Sequence, residues 1–198
     1  MSDSGGNTTL RAFDINTFLP LGAVTISGLS GTPTSLVRWG SNGLAFRTST
    51  QIFLVQSALV NPGDAVPAAT PTPSPVPSPS PAYIPTFTRK LDVSANDLIF
   101  NQSTQRIYAS VAGYQLTTGN SITTIDPQTA TIGPSVFIGS EPNKLALSDD
   151  GKTLYANLDG AAAIRRFDIS TQTAGLQFTH SLSTGPSDMD VMPGNPRR

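Results

Sequence analysis

Apolar residues along this chain gather in short β-branched and aromatic runs bounded by Gly, Asn, Asp and Ser, and no stretch carries the 3.6-residue period of a helix. The runs repeat. Phe13-Asp14-Ile15-Asn16-Thr17, Ile125-Asp126-Pro127-Gln128-Thr129 and Phe167-Asp168-Ile169-Ser170-Thr171 each place an apolar residue before Asp, then a turn closed by Thr. Ile107-Tyr108-Ala109-Ser110 returns as Leu154-Tyr155-Ala156-Asn157, 47 positions on, and Pro142 before Leu145-Ala146 returns as Pro186 before Met189, 44 positions on. Self-similarity at forty-odd residues marks the blade repeat of an all-β fold.

Aligning the echoes predicts four-stranded units with strands a to d running from the inside of a blade outwards. In the third unit, a spans Leu145 to Ser148, Asp149-Asp150-Gly151-Lys152 is a hairpin, b spans Thr153 to Asn157, c Ala162 to Phe167 and d Gly175 to Leu182. The second places a at Leu98 to Asn101, b at Arg106 to Val111, c at Ser121 to Ile125, and ends d at Phe137-Ile138. The first places a at Leu36 to Trp39, b at Leu44 to Arg47, c at Gln51 to Gln56, with d displaced to Phe87 to Val93. Thr9 to Phe13 and Gly22 to Ile26 supply c and d of a preceding blade that lacks b, and Met189 to Met192 supplies strand a of a following one. The expected architecture is an all-β propeller of four-stranded antiparallel blades, incomplete in this chain, since propellers close with about 4 to 8 blades.

The organisation is thus 1–61 for a half blade and the first blade through strand c, 62–86 for a Pro-rich insertion, and 87–198 for the return strand, two further blades and the start of the next. Nine of the 17 prolines lie between 62 and 85. Proline fixes φ and removes a donor, so Pro71 to Pro81 reads as a polyproline II spacer of about 30 Å.

Composition narrows function. Net charge is -1 with 13% charged residues, so no basic stripe exists to hold phosphates and nucleic acid is excluded as an expected partner. There is no cysteine, hence no disulfide or thiolate metal site. No apolar run reaches the roughly 20 residues of a membrane span, and Met1 to Gly6 carries no signal peptide.

Ser140-Glu141-Pro142-Asn143-Lys144-Leu145-Ala146-Leu147-Ser148-Asp149-Asp150-Gly151-Lys152-Thr153-Leu154-Tyr155, with the Asp126-Pro127-Gln128-Thr129 turn one strand earlier, resembles the YVTN-type repeat of bacterial propellers, over roughly residues 9 to 192 outside the Pro-rich tract. The chain departs from that pattern at the position after Tyr, where the repeat has Val and this chain has Ala109 and Ala156. The resemblance implies an extracellular or cell-envelope setting. It also implies either a non-enzymatic binding or scaffold module or a lactonase-like hydrolase with a divalent cation at the channel mouth. Expected partners are a protein, a surface polysaccharide, other blades of a larger propeller, or further copies of the chain.

Candidate chemistry is sparse. His180 is the single histidine and falls in outer strand d, where it reads as a solvated or edge-strand residue; Glu141 is the single glutamate. Asp149 and Asp150 read as hairpin residues rather than calcium ligands, and Trp39 as a blade-packing residue. No catalytic set, metal cluster or cofactor is predicted. The candidate ligand positions are the second residues after the Pro position of each unit, Ser35, Asp97, Lys144 and Asp188, expected to ring one mouth of the central channel; under the hydrolase reading Asp97 and Asp188 would hold the cation. Asn7-Thr8-Thr9 and Asn101-Gln102-Ser103 match the glycosylation sequon, which matters only in an exported protein of a glycosylating host.

Overall fold

Turn chemistry sets the strand boundaries. In the computed structural model, which describes residues 2–4, 7–61, 86–115, 117–181 and 185–194, Asp14, Asp126 and Asp168 each accept the backbone N–H groups of the second and third residues after them, at 2.8 to 3.2 Å. The chain then passes a left-handed residue, Phe18, Ala130 or Gln172, at φ 55 to 57°. The Asp side chain supplies the acceptor that a tight turn needs, and the left-handed residue returns the chain antiparallel. Asn101 does the same ahead of Gln105, a fourth copy of the device.

These turns join fifteen strands among the described residues: β1 (Ser2–Ser4), β2 (Asn7–Phe13), β3 (Pro20–Ser27), β4 (Thr34–Trp39), β5 (Gly43–Arg47), β6 (Ile52–Gln56), β7 (Phe87–Leu91), β8 (Ala95–Asn101), β9 (Arg106–Val111), β10 (Ser121–Asp126), β11 (Thr131–Phe137), β12 (Pro142–Leu147), β13 (Thr153–Leu158), β14 (Ala163–Asp168) and β15 (Thr173–Thr179). They form one three-stranded sheet, β1-β2-β3 (sheet I), and three four-stranded sheets, β4 to β7 (II), β8 to β11 (III) and β12 to β15 (IV), each antiparallel and in chain order. The fold is all-β and propeller-like, and its sheets do not close into a ring.

Alternation on each strand sends apolar residues to both faces, and three cores result, one at each seam between sheets. Leu10 and Val24 of sheet I meet Phe46, Phe53 and Val55 of sheet II. Trp39, Ala45, Ile52 and Leu54 on the other face of sheet II meet Leu98, Ile107, Ala109 and Ile125 of sheet III. Tyr108, Ile122 and Ile138 meet Leu145, Leu154, Ala156, Leu158 and Phe167 of sheet IV. Ala109 and Ala156 are fully buried in their seams, and Trp39 is a blade-packing residue stacked on Phe87 at 6.3 Å.

Two expectations need correction. Ser2–Ser4 pairs with β2, giving sheet I the strand b that the sequence pattern does not predict. Met189 to Met192 is not a strand: a strand exists through its hydrogen-bonded neighbour, and none is assigned beside this segment. The Pro-rich tract 62–85 and the end of predicted strand d at Leu182 lie outside the described residues.

Candidate functional site

The inner strands place the predicted ligand positions. Strand β8 lies against both β4 and β12, which brings the start of each strand a to one end of the seams. Arg47 Nε donates to Ser35 Oγ at 3.2 Å, and Ser35 Oγ donates to Asp97 Oδ1 at 3.0 Å. The other carboxylate oxygen, Asp97 Oδ2, accepts the Leu145 N–H at 3.1 Å. Asn96 Nδ2 adds a bond to the Pro142 carbonyl at 2.9 Å. The chain Arg47, Ser35, Asp97, Leu145 thus crosses sheets II, III and IV. Ser35 holds a left-handed φ of 51°, a conformation that costs an L-residue about 1–2 kcal/mol.

Arg47 is half-buried, and that burial lowers its pKa from the usual guanidinium value, while the charges of Asp97 and Tyr114 pull the other way. The guanidinium stays a cation and offers Asp97 a like-for-unlike neighbour through the Ser35 hydroxyl. Lys144 is half-buried beside Leu145, with no hydrogen bond or ion pair among the described residues. Asp188 is exposed and accepts its neighbour's N–H, that of Met189, at 2.9 Å. The structure therefore joins Ser35 to Asp97, sets Lys144 one residue before Leu145, whose N–H Asp97 accepts, and gives Asp188 no shared hydrogen bond with the other three.

Sequence reasoning missed Arg47. The available signal was positional: Arg47, Ser110 and Asn157 are the polar residues near the end of each strand b. Ser110 Oγ likewise reaches into the next sheet, donating to the Asn143 carbonyl at 2.6 Å. His180 also departs from its expected solvated place. It is half-buried just past β15, where its Nε2 meets Asn157 Oδ1 at 3.1 Å, and Asn157 in turn bonds Asp159, which accepts Asn143 Nδ2 at 2.7 Å. Asp150 is a hairpin residue, accepting Ser148 Oγ and Lys152 N–H ahead of Gly151 at φ 67°. No group of three His, Cys, Asp or Glu side chains suited to a metal ion occurs among the described residues.

Two hollows flank the inner strands. Ser35 lines a shallow depression of about 410 Å³ with Thr32, Pro33, Thr34, Leu36 and Phe46. A cleft of about 290 Å³ opens between sheets I and II, walled by Leu10, Val24, Leu36, Leu44 and Leu59 with Arg38 at its side, and holds none of the four predicted positions.

Known proteins add little. No family model matches the chain, and no curated protein matches it. Among solved structures, the chain is similar to Kuenenia stuttgartiensis hydrazine synthase at 19% identity and a TM-score of 0.41, over 50% of this chain and 26% of that one. The match spans about a quarter of that protein's length. No helix among the described residues is long and apolar enough to cross a membrane.

Proposed function

We propose that this chain is a non-enzymatic binding or scaffold module built from YVTN-type propeller repeats, part of a bacterial surface or exported protein. Its blade faces and loops are the surface offered to a protein or a surface polysaccharide. The observation that carries this reading is the use made of Asp97. A cation site of the lactonase kind would draw on this acid, yet each of its oxygens already accepts a bond across the seam, one from the Ser35 hydroxyl and one from the Leu145 N–H, and Asp188 shares no bond with it. The residue acts as a fastener between sheets.

Calcium titration followed by thermal melting tests it. A ligand bound only by the folded state adds about 2.7 kcal/mol at 100 times its Kd, so a calcium-dependent rise in Tm would overturn the reading in favour of the hydrolase. The expected result is no shift. As a fastener, Asp97→Ala should lower stability by about 1–3 kcal/mol through the two donors it strands, with or without calcium.

A further inference from the structure

The two ends of the sheet stack carry the same residue pattern as the seams inside it. Toward its preceding neighbour each strand c presents one residue just before the turn: Val55 in β6, Ile125 in β10 and Phe167 in β14, all fully buried. Phe13 holds that place in β2; it is 52% exposed, borders the cleft between sheets I and II, and has no sheet of the described residues preceding it. Toward its following neighbour each c–d pair presents two: Leu10 with Val24, Ile52 with Leu91, Ile122 with Val136, and Ile164 with Phe178. The first three pairs lie in seams, whereas Phe178 is 51% exposed on sheet IV.

The segment 185–194 completes the correspondence. Gly185 lies against Asp159, so closely that a Cβ there would sit 2.2 Å from Oδ1, and Gly194 N–H donates to Asp149 Oδ2 at 2.9 Å. The segment therefore runs along sheet IV from the end of β13 to its beginning, the direction in which β12 runs along β8. Its burial alternates as a strand's would, with Met189 and Val191 half-covered and Asp188, Asp190 and Met192 exposed. It holds the place of a strand a, with no strand b beside it among the described residues. Sheet I has the opposite defect: it has b, c and d but no a, and the apolar cleft of about 290 Å³ opens between its β2 and sheet II.

We propose that these are the two halves of one interface, and that a second copy of this chain docks its sheet I onto sheet IV, so that segment 185–194 of one copy becomes the inner strand of the other's first blade. Phe13 of one copy packs on Tyr155 of the other, as Phe167 packs edge-on against Tyr108 at 6.4 Å within the chain. Arg11 takes the role of Arg165, whose Nη1 donates across the seam to the Ile138 carbonyl at 3.2 Å. Met192 enters the cleft, and Asp190 meets Arg38 on its wall. A head-to-tail contact of this kind closes when its rotation allows. Three complete sheets from each chain and one composite sheet at each junction make eight blades, within the usual range of roughly four to eight.

The test is the solution mass of the full chain by light scattering after size exclusion, across a range of concentrations. The expected species is twice the 20.7 kDa chain. Phe13→Asp and Phe178→Asp, both at exposed positions, are each expected to give a folded monomer by circular dichroism. An equimolar mixture of the two should regain a dimer, because each variant keeps one intact face. Arg11→Glu, a milder change, should shift the dimer midpoint at least tenfold. A wild-type monomer at every concentration overturns the proposal, as does a Phe13→Asp variant that dimerises like wild type, which would mean symmetric pairing through sheet IV. Open-ended growth of mass overturns the closed ring.

Discussion

Two aspartates at equivalent turns, Asp14 and Asp168, make the residue scale testable by pH. The Asp168 carboxyl is pulled from 3.8 to about 2, first by the Ser170 hydroxyl and then by the Thr171 N–H, and Asp14 is lowered chiefly by the N–H groups of Thr17 and Asn16. A carboxylate whose folded pKa is depressed adds stability that is fully present above its unfolded value near 3.8 and lost as pH falls through its folded value. Melting curves between pH 5 and pH 2 are therefore expected to fall most steeply from about 3.8 down to about 2. Asp168→Ala should flatten that fall, and an unchanged slope would show that the turn carboxylate is not its source. This device was legible in the sequence because every contact it makes is within three residues. The Arg47, Ser35 and Asp97 chain was only half legible, since Ser35 and Asp97 stand 62 residues apart and only the blade register unites them.

At the scale of the element, the tightest constraint lies where β4 turns into β5. Gly43 is buried, and a Cβ on it would lie 2.2 Å from the Trp39 ring. Overpacking a filled core costs about 1–3 kcal/mol, or roughly 2–4 °C of Tm for each kcal/mol in a chain of this size. Gly43→Ala is expected to lower Tm accordingly and to red-shift the emission of Trp39, the chain's single tryptophan, as the ring leaves the seam. A neutral substitution would mean that the β4–β5 hairpin relaxes freely. Strand positions were readable from alternation and turns, and most observed boundaries fall within about two residues of the expected ones. Met189 to Met192 shows the limit. Its pattern is that of a strand, but a strand is a property of a pair, and no strand pairs with it among the described residues.

For the whole molecule, stability is a sum over seams between neighbouring sheets, as in other stacked-repeat proteins. Strands β5, β6, β9 and β10 have a core on each face, whereas β2, β3 and β15 lie in the end sheets, each with one face free of any core. Below the association midpoint, amide exchange is expected to be slowest in the first group and fastest in the second. Above it, only β2, β3 and β15 should slow further. Uniform protection at all concentrations would count against both the seam picture and the docking of copies. Asn101 ties these seams to biogenesis. Its amide is fully buried, donating to the Gly151 carbonyl of the next sheet at 2.7 Å while its oxygen holds the turn to Gln105. Asn7, in the other sequon, is exposed. In a glycosylating host a sugar could reach Asn101 only on the nascent chain, and once attached it would wedge sheets III and IV apart, so occupancy at that site is a clock that records whether the seam closed before the transferase arrived.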